Sequence, residues 1–195
     1  MKNSSNKILQ FISSNMHKYE EIKDKFAVHG IEVQFLQKSY GEFQADTFKD
    51  IAYSSIGALM SYTNGNFLIE DSGLSIDGLN EFPGPYSSYI YRTIGLQGIL
   101  SLTSQLKDKK AKFTSVIALN FNGNVYIFEG IQQGLIADSV TGSHGFGFDP
   151  IFIPIHPLNE DNKTYAEMEI SLKNEISHRG KSMNLVLNFL LQQNN

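Results

Sequence analysis

The sequence predicts a three-layer α/β protein with a mixed β-sheet, and three observations carry that prediction. First, the apolar runs KILQFIS (7–13) and IEVQFL (31–36) have the length and pattern of strands, and a segment with helical spacing lies between them. Second, two β-rich runs within residues 112–131 flank Asn122-Gly123, a pair that favours a tight antiparallel hairpin. Third, apolar residues recur at helical spacing from Met183 onward, which indicates a C-terminal amphipathic helix.

The remaining elements are predicted from local signals. Thr47 stands three residues before Asp50 at the start of a helical pattern, as in a capping box. Residues 66–71 have the pattern of a strand that ends in acids and leads into a glycine turn, and residues 94–106 that of a helix. The predicted order is therefore βαβαβ, then a helix, a hairpin, a loop-rich stretch and a final helix.

Composition limits the classes of function. A length of 195 residues suits one domain, and 41% hydrophobic residues with 18% charged residues predict a packed core. The net charge of −4 argues against nucleic-acid binding, and the absence of cysteine excludes disulfides, thiolate metal sites and a cysteine nucleophile. Because no apolar run reaches about 18 residues and the N-terminus lacks a signal-peptide core, we expect no membrane span and a cytoplasmic location.

Three polar segments are candidates for phosphate and metal chemistry. Residues 13–18 (SSNMHK) follow a strand and start a helix, where backbone N–H groups and Lys18 favour an anion, although an ordinary Ser/Asn cap explains the same residues. Glu42 precedes a helix, where Asp46 is a candidate cap. Asp71, with Glu70, follows an apolar strand and suits Mg²⁺, although solvated acids in a turn fit equally well.

Two further segments are candidates for ligand recognition. In SHGFGFDPIF (143–152), Phe146 and Phe148 offer flat faces for a flat ligand and Asp149 offers acceptors, whereas the plainer interpretation is a glycine-rich loop anchored by two rings. KNEISHRGK (173–181) places four basic groups just before the final helix, and its plainer interpretation is a solvated surface with Ser177 as a helix cap.

Four groups of residues occur in a fixed order along the chain. They are Ser13-x-Asn15-x-x-Lys18-x-x-Glu21, Asp71–Leu74 followed by PGPYSS (83–88), Phe146–Pro150, and TYAEM (164–168) followed by Lys173 and SHRGK (177–181). Together they resemble the motifs of the inosine triphosphate pyrophosphatase family, and the likeness covers nearly the whole chain after the first six residues.

This resemblance implies a fold, an activity and a set of roles. The fold is a long bent mixed β-sheet flanked by helices, one domain over residues 1–195 with two lobes around a cleft, in a homodimer. The activity is hydrolysis of ITP, dITP and XTP to the nucleoside monophosphate and pyrophosphate. Mg²⁺ is expected at Glu42 and Asp71, with Asp71 as the catalytic base. The implied substrate-binding residues are Ser13, Ser14, Asn15, Met16, His17, Lys18, Ser72, Phe146, Gly147, Phe148, Asp149, Lys173, His178 and Arg179.

Departures from the family pattern keep two alternatives open. Many relatives carry a lysine where this chain has Ser55, and some carry one where it has Ser88. A nucleotide-binding sensor without turnover is therefore one alternative, and a Maf-type nucleotide pyrophosphatase is another. The sequence around Glu42, EFQAD, also differs from the Glu-Thr-Gly of many bacterial relatives.

Overall fold

The computed structural model describes residues 7–40 and 43–193. The strands are β1 (Lys7–Ser13), β2 (Ile31–Gln37), β3 (Phe67–Ile76), β4 (Phe82–Pro83), β5 (Lys110–Phe121), β6 (Asn124–Ile136) and β7 (Phe152–Pro154). The α-helices are α1 (Met16–Glu20), α2 (Lys23–Ala27), α3 (Phe48–Met60), α4 (Ser87–Thr93), α5 (Gly95–Thr103), α6 (Ile170–Ile176) and α7 (His178–Gln192). Short 3₁₀ turns cover Asp77–Leu79, Gly84–Tyr86, Asp149–Ile151 and Tyr165–Glu167.

One mixed sheet connects these elements in the order β2-β1-β3-β5-β6-β7, and β4 pairs with the end of β3. The first three strands in this order are parallel, and the others pair antiparallel. The chain leaves β1 towards β2 on one side and then crosses to β3 on the other side. The strand order thus reverses at β1, which is where ligands bind in open α/β sheets.

Three buried clusters confirm the three-layer α/β prediction. On one face of the sheet, Leu68 and Ile117 pack with α2 and α7. On the other face, Phe67 and Ile69 pack with α3. The third cluster, which includes Phe148, surrounds the far ends of β3 and β5. Alternate residues of β3 therefore pack against opposite helical layers, as the two-residue period of a strand requires.

The hairpin prediction is confirmed. β5 and β6 pair from Lys110 with Leu135 to Phe121 with Asn124. Asn122 and Gly123 connect them with φ angles of 52° and 81°. Both angles are positive, as a type I′ turn requires, and asparagine and glycine adopt them most readily.

The predicted turn after Asp71 is wrong, because β3 continues through the acids to Ile76. Gly73 lies inside the strand, at a position with no space for a side chain. A Cβ atom at this position would lie 2.4 Å from Ser87 Oγ and 2.6 Å from the Gly84 carbonyl oxygen. The glycine therefore permits close approach of another segment, a use that sequence does not distinguish from a turn.

Several helix boundaries differ from the predictions. The segment after β1 forms two short helices, α1 and α2, and the predicted 94–106 helix is α5, preceded by α4. Thr47 rather than Asp46 caps α3, since its Oγ accepts the Asp50 N–H at 3.1 Å. The final helix starts at His178 instead of Met183, and Ser177 caps it by accepting the Gly180 N–H at 3.0 Å. Within the described part of the chain, no helix is both long and apolar enough to span a bilayer.

Candidate active site

A cavity of about 550 Å³ opens at the carboxyl ends of β1 and β2, beside the middle of β3. This volume lies within the range of about 300–1,000 Å³ that small-molecule sites occupy. Its walls come from Phe113 and from segments near residues 13–18, 38–40, 70–73, 85–91, 145–149 and 178–179. The cavity thus lies at the reversal of strand order and extends towards the loop between β6 and β7.

The turn after β1 is held by its own side chains. Ser13 Oγ accepts the Asn15 N–H at 3.1 Å, and Asn15 Oδ1 accepts the His17 N–H at 3.0 Å, so the capping interpretation of these residues is confirmed. Lys18 reaches across to β3, where its ammonium lies 2.8 Å from Glu70 Oε2 and donates to the Glu70 carbonyl at 3.2 Å. The turn is therefore fixed against the acids of β3.

Glu70 and Asp71 point to different surroundings because successive strand residues face opposite sides. Glu70 is 2% exposed and accepts a hydrogen bond from Ser115 Oγ at 2.7 Å. Asp71 is partly buried and lines the cavity, and its Oδ1 accepts the Ser72 N–H at 2.9 Å. Both acids border the cavity, but Glu70 is engaged by Lys18 and Arg179, whereas Asp71 is the more exposed of the two.

The basic groups of residues 173–181 are largely buried, so the solvated-surface interpretation is wrong for Lys173, His178 and Arg179. Lys173 Nζ lies 2.6 Å from both Glu21 Oε1 and Asp149 Oδ2. The Arg179 guanidinium pairs with Glu21 and lies 3.2 Å from Glu70 Oε1. These contacts join Lys18, Lys173 and Arg179 to Glu21, Glu70 and Asp149 in one network, with three cations matching three carboxylates.

Burial and the neighbouring charges shift the pKa values of the network residues in opposite directions. Burial disfavours the charge of Glu70, but Arg179 and Lys18 outweigh it, so the pKa of Glu70 lies below its usual value. Burial likewise opposes the charge of Arg179, yet Glu70 and Glu21 hold its pKa above the usual value. For Asp149, burial dominates and raises the pKa, even though Lys173 acts against it.

His178 is neutral at pH 7, because burial, reinforced by the charge of Arg179, lowers its pKa well below 6.5. Its ring stacks on Phe113 with centroids 4.6 Å apart and an interplanar angle of 10°. Its Nδ1 is buried and lacks a hydrogen-bond partner among the residues described. The imidazole therefore adds a flat, uncharged surface to the cavity.

The glycine-aromatic loop supplies two different rings. Phe146 stacks on His17 with centroids 5.5 Å apart, and Lys173 Nζ lies 5.0 Å from the Phe146 centroid. Phe148 is 3% exposed, belongs to the third core cluster and meets the ring of Tyr91 edge-on. Phe146 is thus the more accessible ring, and a base held between the two phenylalanines stays a prediction.

Most of the predicted site residues meet at this cavity. Those that line it are Ser13, Ser14, Asn15, His17, Lys18, Asp71, Ser72, Phe146, Gly147, Phe148, Asp149, His178 and Arg179. Met16 does not line the cavity and is 44% exposed. Lys173 does not line the cavity either, but it is joined to the lining residue Asp149. Glu42 falls outside the described residues.

The structure also gives roles to three residues outside the predicted set of catalytic and binding residues. Glu21, named above only as part of a motif, and Glu70, named above only as a metal candidate beside Asp71, complete the buried network. Lys38, which the sequence did not single out, lines the cavity. Glu21 follows Lys18 by three residues, a helical spacing that was available as a signal. Of the two departures from the family pattern, Ser88 lines the cavity, while Ser55 is buried in α3 and its Oγ finds no hydrogen-bond partner within residues 7–40 and 43–193.

The chain resembles known proteins over most of its length. Residues 9–189 match the sequence model of the Ham1 family. The chain belongs to the Ham1 family. It is 44% identical over 180 residues to the dITP/XTP pyrophosphatase of Pyrococcus horikoshii, a match that covers 92% of this chain and 95% of that protein. The corresponding enzyme of Thermococcus kodakarensis is 46% identical over 182 residues, which cover 93% and 96% of the two chains.

A solved family member has the same fold. The Staphylococcus aureus Ham1 protein superposes with a TM-score of 0.80 at 28% identity, covering 96% of this chain and 100% of that chain. The long, curled mixed sheet flanked by helices that the resemblance implied is therefore confirmed, and the division into two lobes stays a prediction.

Proposed function

We propose that this Ham1-family chain is a nucleoside triphosphate pyrophosphohydrolase that acts on deaminated purine nucleotides. The observation that carries the proposal is one cavity lined by two chemically different groups of residues. Asp71, Lys18 and the turn after β1 form the group suited to phosphates, which we call the phosphate end, and Phe146 and Asp149 form the group suited to a base. The names of the Pyrococcus and Thermococcus relatives, dITP/XTP pyrophosphatase, support the same substrate class.

At the phosphate end, Asp71 acts as general base on a water molecule. The water oxygen attacks the α-phosphorus while its proton passes to the Asp71 carboxylate. The bond between the α-phosphorus and the bridging oxygen breaks, and pyrophosphate leaves with the electron pair. Lys18 and the turn at residues 13–15 hold the phosphates in line with the attacking water. The reaction needs positioning and charge stabilisation but no covalent intermediate.

The donor set at this end fits Mg²⁺. Among the described residues no group of three or more potential ligands occurs, but Mg²⁺ needs only one or two carboxylates when substrate phosphates supply other ligands. Asp71 lines the cavity with a hard oxygen donor, and Glu42 is the second ligand that the family resemblance implies. A bound Mg²⁺ would neutralise charge on the phosphates and on the leaving pyrophosphate.

At the residues suited to a base, polar matching selects which base binds. A 6-oxo purine presents a hydrogen-bond acceptor where adenine presents a donor. A site that donates a hydrogen bond there therefore leaves adenine unmatched. Such a mismatch can give roughly 10⁴-fold discrimination against the wrong substrate. The candidate donors are Arg179 and the backbone N–H groups that open α7. The two terminal nitrogens of Arg179 are engaged by Glu21, Glu70 and Ser72, whereas its Nε has no hydrogen-bond partner in the described part of the chain, so both Nε and the backbone groups are available as donors.

The assay measures pyrophosphate release from ITP, XTP, ATP and GTP, with Mg²⁺ and with a chelator. We expect fast release from ITP and XTP that needs Mg²⁺. Asp71→Asn should lower kcat by about 10²-fold or more, the range of a general base. The matched control is Asp161→Asn, an isosteric change at an exposed side chain outside the cavity lining, which should leave kcat unchanged.

Two results would count against the proposal. Equal turnover by Asp71→Asn and wild type would remove Asp71 from the chemistry. Tight ITP binding without any pyrophosphate release would instead support a nucleotide-sensing role. The homodimer and the cytoplasmic location implied at the sequence level belong to the same proposal, and light scattering on the purified chain tests the dimer.

A further inference from the structure

Resting on the proposed function, we propose that Lys38 is a further phosphate-binding residue of this site. It lines the cavity beside the turn after β1, where the triphosphate is expected. The role belongs to the polyanionic part of the substrate, because Lys38 is hydrogen-bonded through its backbone to Ser13, which begins the turn proposed to hold the phosphates.

The backbone fixes the place of Lys38. Ser13 and Gln37 are partners at the ends of β1 and β2, and the Lys38 N–H extends this pairing by donating to the Ser13 carbonyl at 3.2 Å. Lys38 is thus the first residue beyond β2, next to the residues that begin the turn. Carboxyl ends of parallel strands at a reversal of strand order are where this class of fold binds ligands.

The charge balance of the site indicates why a further cation is needed there. Lys18, Lys173 and Arg179 are each paired with buried carboxylates, so the buried network offers an incoming phosphate little uncompensated positive charge. Lys38 forms no ion pair with any carboxylate in the described part of the chain. Its ammonium instead lies 4.3 Å from the ring centroid of Tyr62.

This aromatic partner orients the side chain without cancelling its charge. A cation–π contact leaves the positive charge intact, and at an exposed site it is weak enough to coexist with an anionic partner. Since the Lys38 side chain is exposed, it binds phosphate without a burial cost. Lys38 therefore supplies the positive charge that the buried network lacks.

The test compares Lys38→Gln with a control of equal charge change. Lys49→Gln removes a lysine that is exposed, paired with Glu129 and absent from the cavity lining. We expect Lys38→Gln to raise KM for dITP about tenfold, the lower range for a charged hydrogen bond, with kcat within about twofold of wild type. Its kcat/KM should also depend less on salt, because one long-range attraction is lost. Lys49→Gln should match wild type, and Lys38→Arg should retain most of the affinity.

Binding of inorganic tripolyphosphate, measured by calorimetry, separates this inference from the proposed function. Weaker tripolyphosphate binding by Lys38→Gln than by Lys49→Gln supports the phosphate role whether or not the enzyme turns over. An active wild type with equal KM and equal tripolyphosphate binding in both variants overturns the Lys38 inference alone. A wild type that neither hydrolyses dITP nor binds tripolyphosphate overturns both.

Discussion

Replacing Gly130 by alanine should lower both stability and activity, although Gly130 does not line the cavity. Gly130 lies on β6 against the first turn of α7, the helix that carries His178 and Arg179. A Cβ atom at this position would lie 2.1 Å from the His178 carbonyl oxygen and 2.5 Å from the Ser182 nitrogen. Both obstacles are helix backbone, so no side chain can rotate away to accommodate the methyl group.

The size of the effect follows from that distance. Ordinary contact begins at 3.4 Å, so helix and strand must separate by about 1.3 Å near His178. Overpacking of this kind costs about 1–3 kcal/mol of stability, and we expect about 3 because backbone must move. A misplacement near 1 Å can cost about 10²-fold in rate, so kcat/KM for dITP should fall by roughly that factor.

Urea denaturation and pyrophosphate release measure the two effects. The control is Gly57→Ala in α3, where an added Cβ meets nothing within 4 Å. Alanine should stabilise that helix by about 0.5–1 kcal/mol and leave activity unchanged. Wild-type stability and activity in Gly130→Ala would refute the reasoning, since the close approach of β6 to α7 would then carry no constraint.

Two further substitutions test the network and the packing around β3. Glu70→Gln should lower stability at pH 7 by about 3 kcal/mol, because Arg179 and Lys18 lose a buried carboxylate. The lowered pKa means that Glu70 stabilises the fold above pH 4.5 and that this contribution is lost as the pH falls below it, so urea titrations should show a flatter acid dependence in the variant; equal slopes would contradict this. Ser87→Ala should cost about 1–3 kcal/mol in the same assay, because the buried Leu74 N–H loses the 2.8 Å acceptor Ser87 Oγ; an unchanged urea midpoint would contradict it.

Local signals predicted much of the fold. The Asn122-Gly123 turn, the Thr47 cap and the first two strands depend on residues close in sequence, and the structure confirms each of them. The end of β3 was misjudged because Gly73 owes its position to Ser87, fourteen residues further along the chain. A glycine required by a distant neighbour has the same sequence pattern as a glycine required by a turn.

The site was predictable as a set of segments but not as an electrostatic unit. The motif residues near 13–18, 71–72, 146–149 and 178–179 do meet at one cavity. The burial of Lys173 and Arg179 could not be predicted, because it depends on Glu21, more than 150 residues away in sequence. Long-range pairing decides whether a basic run lies on the surface or in the core, and composition carries no information about it.

The position of the acids within β3 separates the proposed chemistry of this protein from its proposed selectivity. Each residue of β3, including Glu70 and Asp71, pairs with β5, so the acids lie in the part of a fold that opens last. The loop at residues 143–149 is anchored at its end by Phe148 in the core and Asp149 in the ion-pair network. Residues 143–147 are held by contacts such as the Phe146 N–H to Asp149 Oδ2 and the His144 N–H to the Ala166 carbonyl. Such a loop can change sequence while the sheet is kept. Grafting residues 143–147, which leaves Phe148 in the core and Asp149 in the ion-pair network, would therefore test whether the proposed base preference can be exchanged without disturbing Asp71.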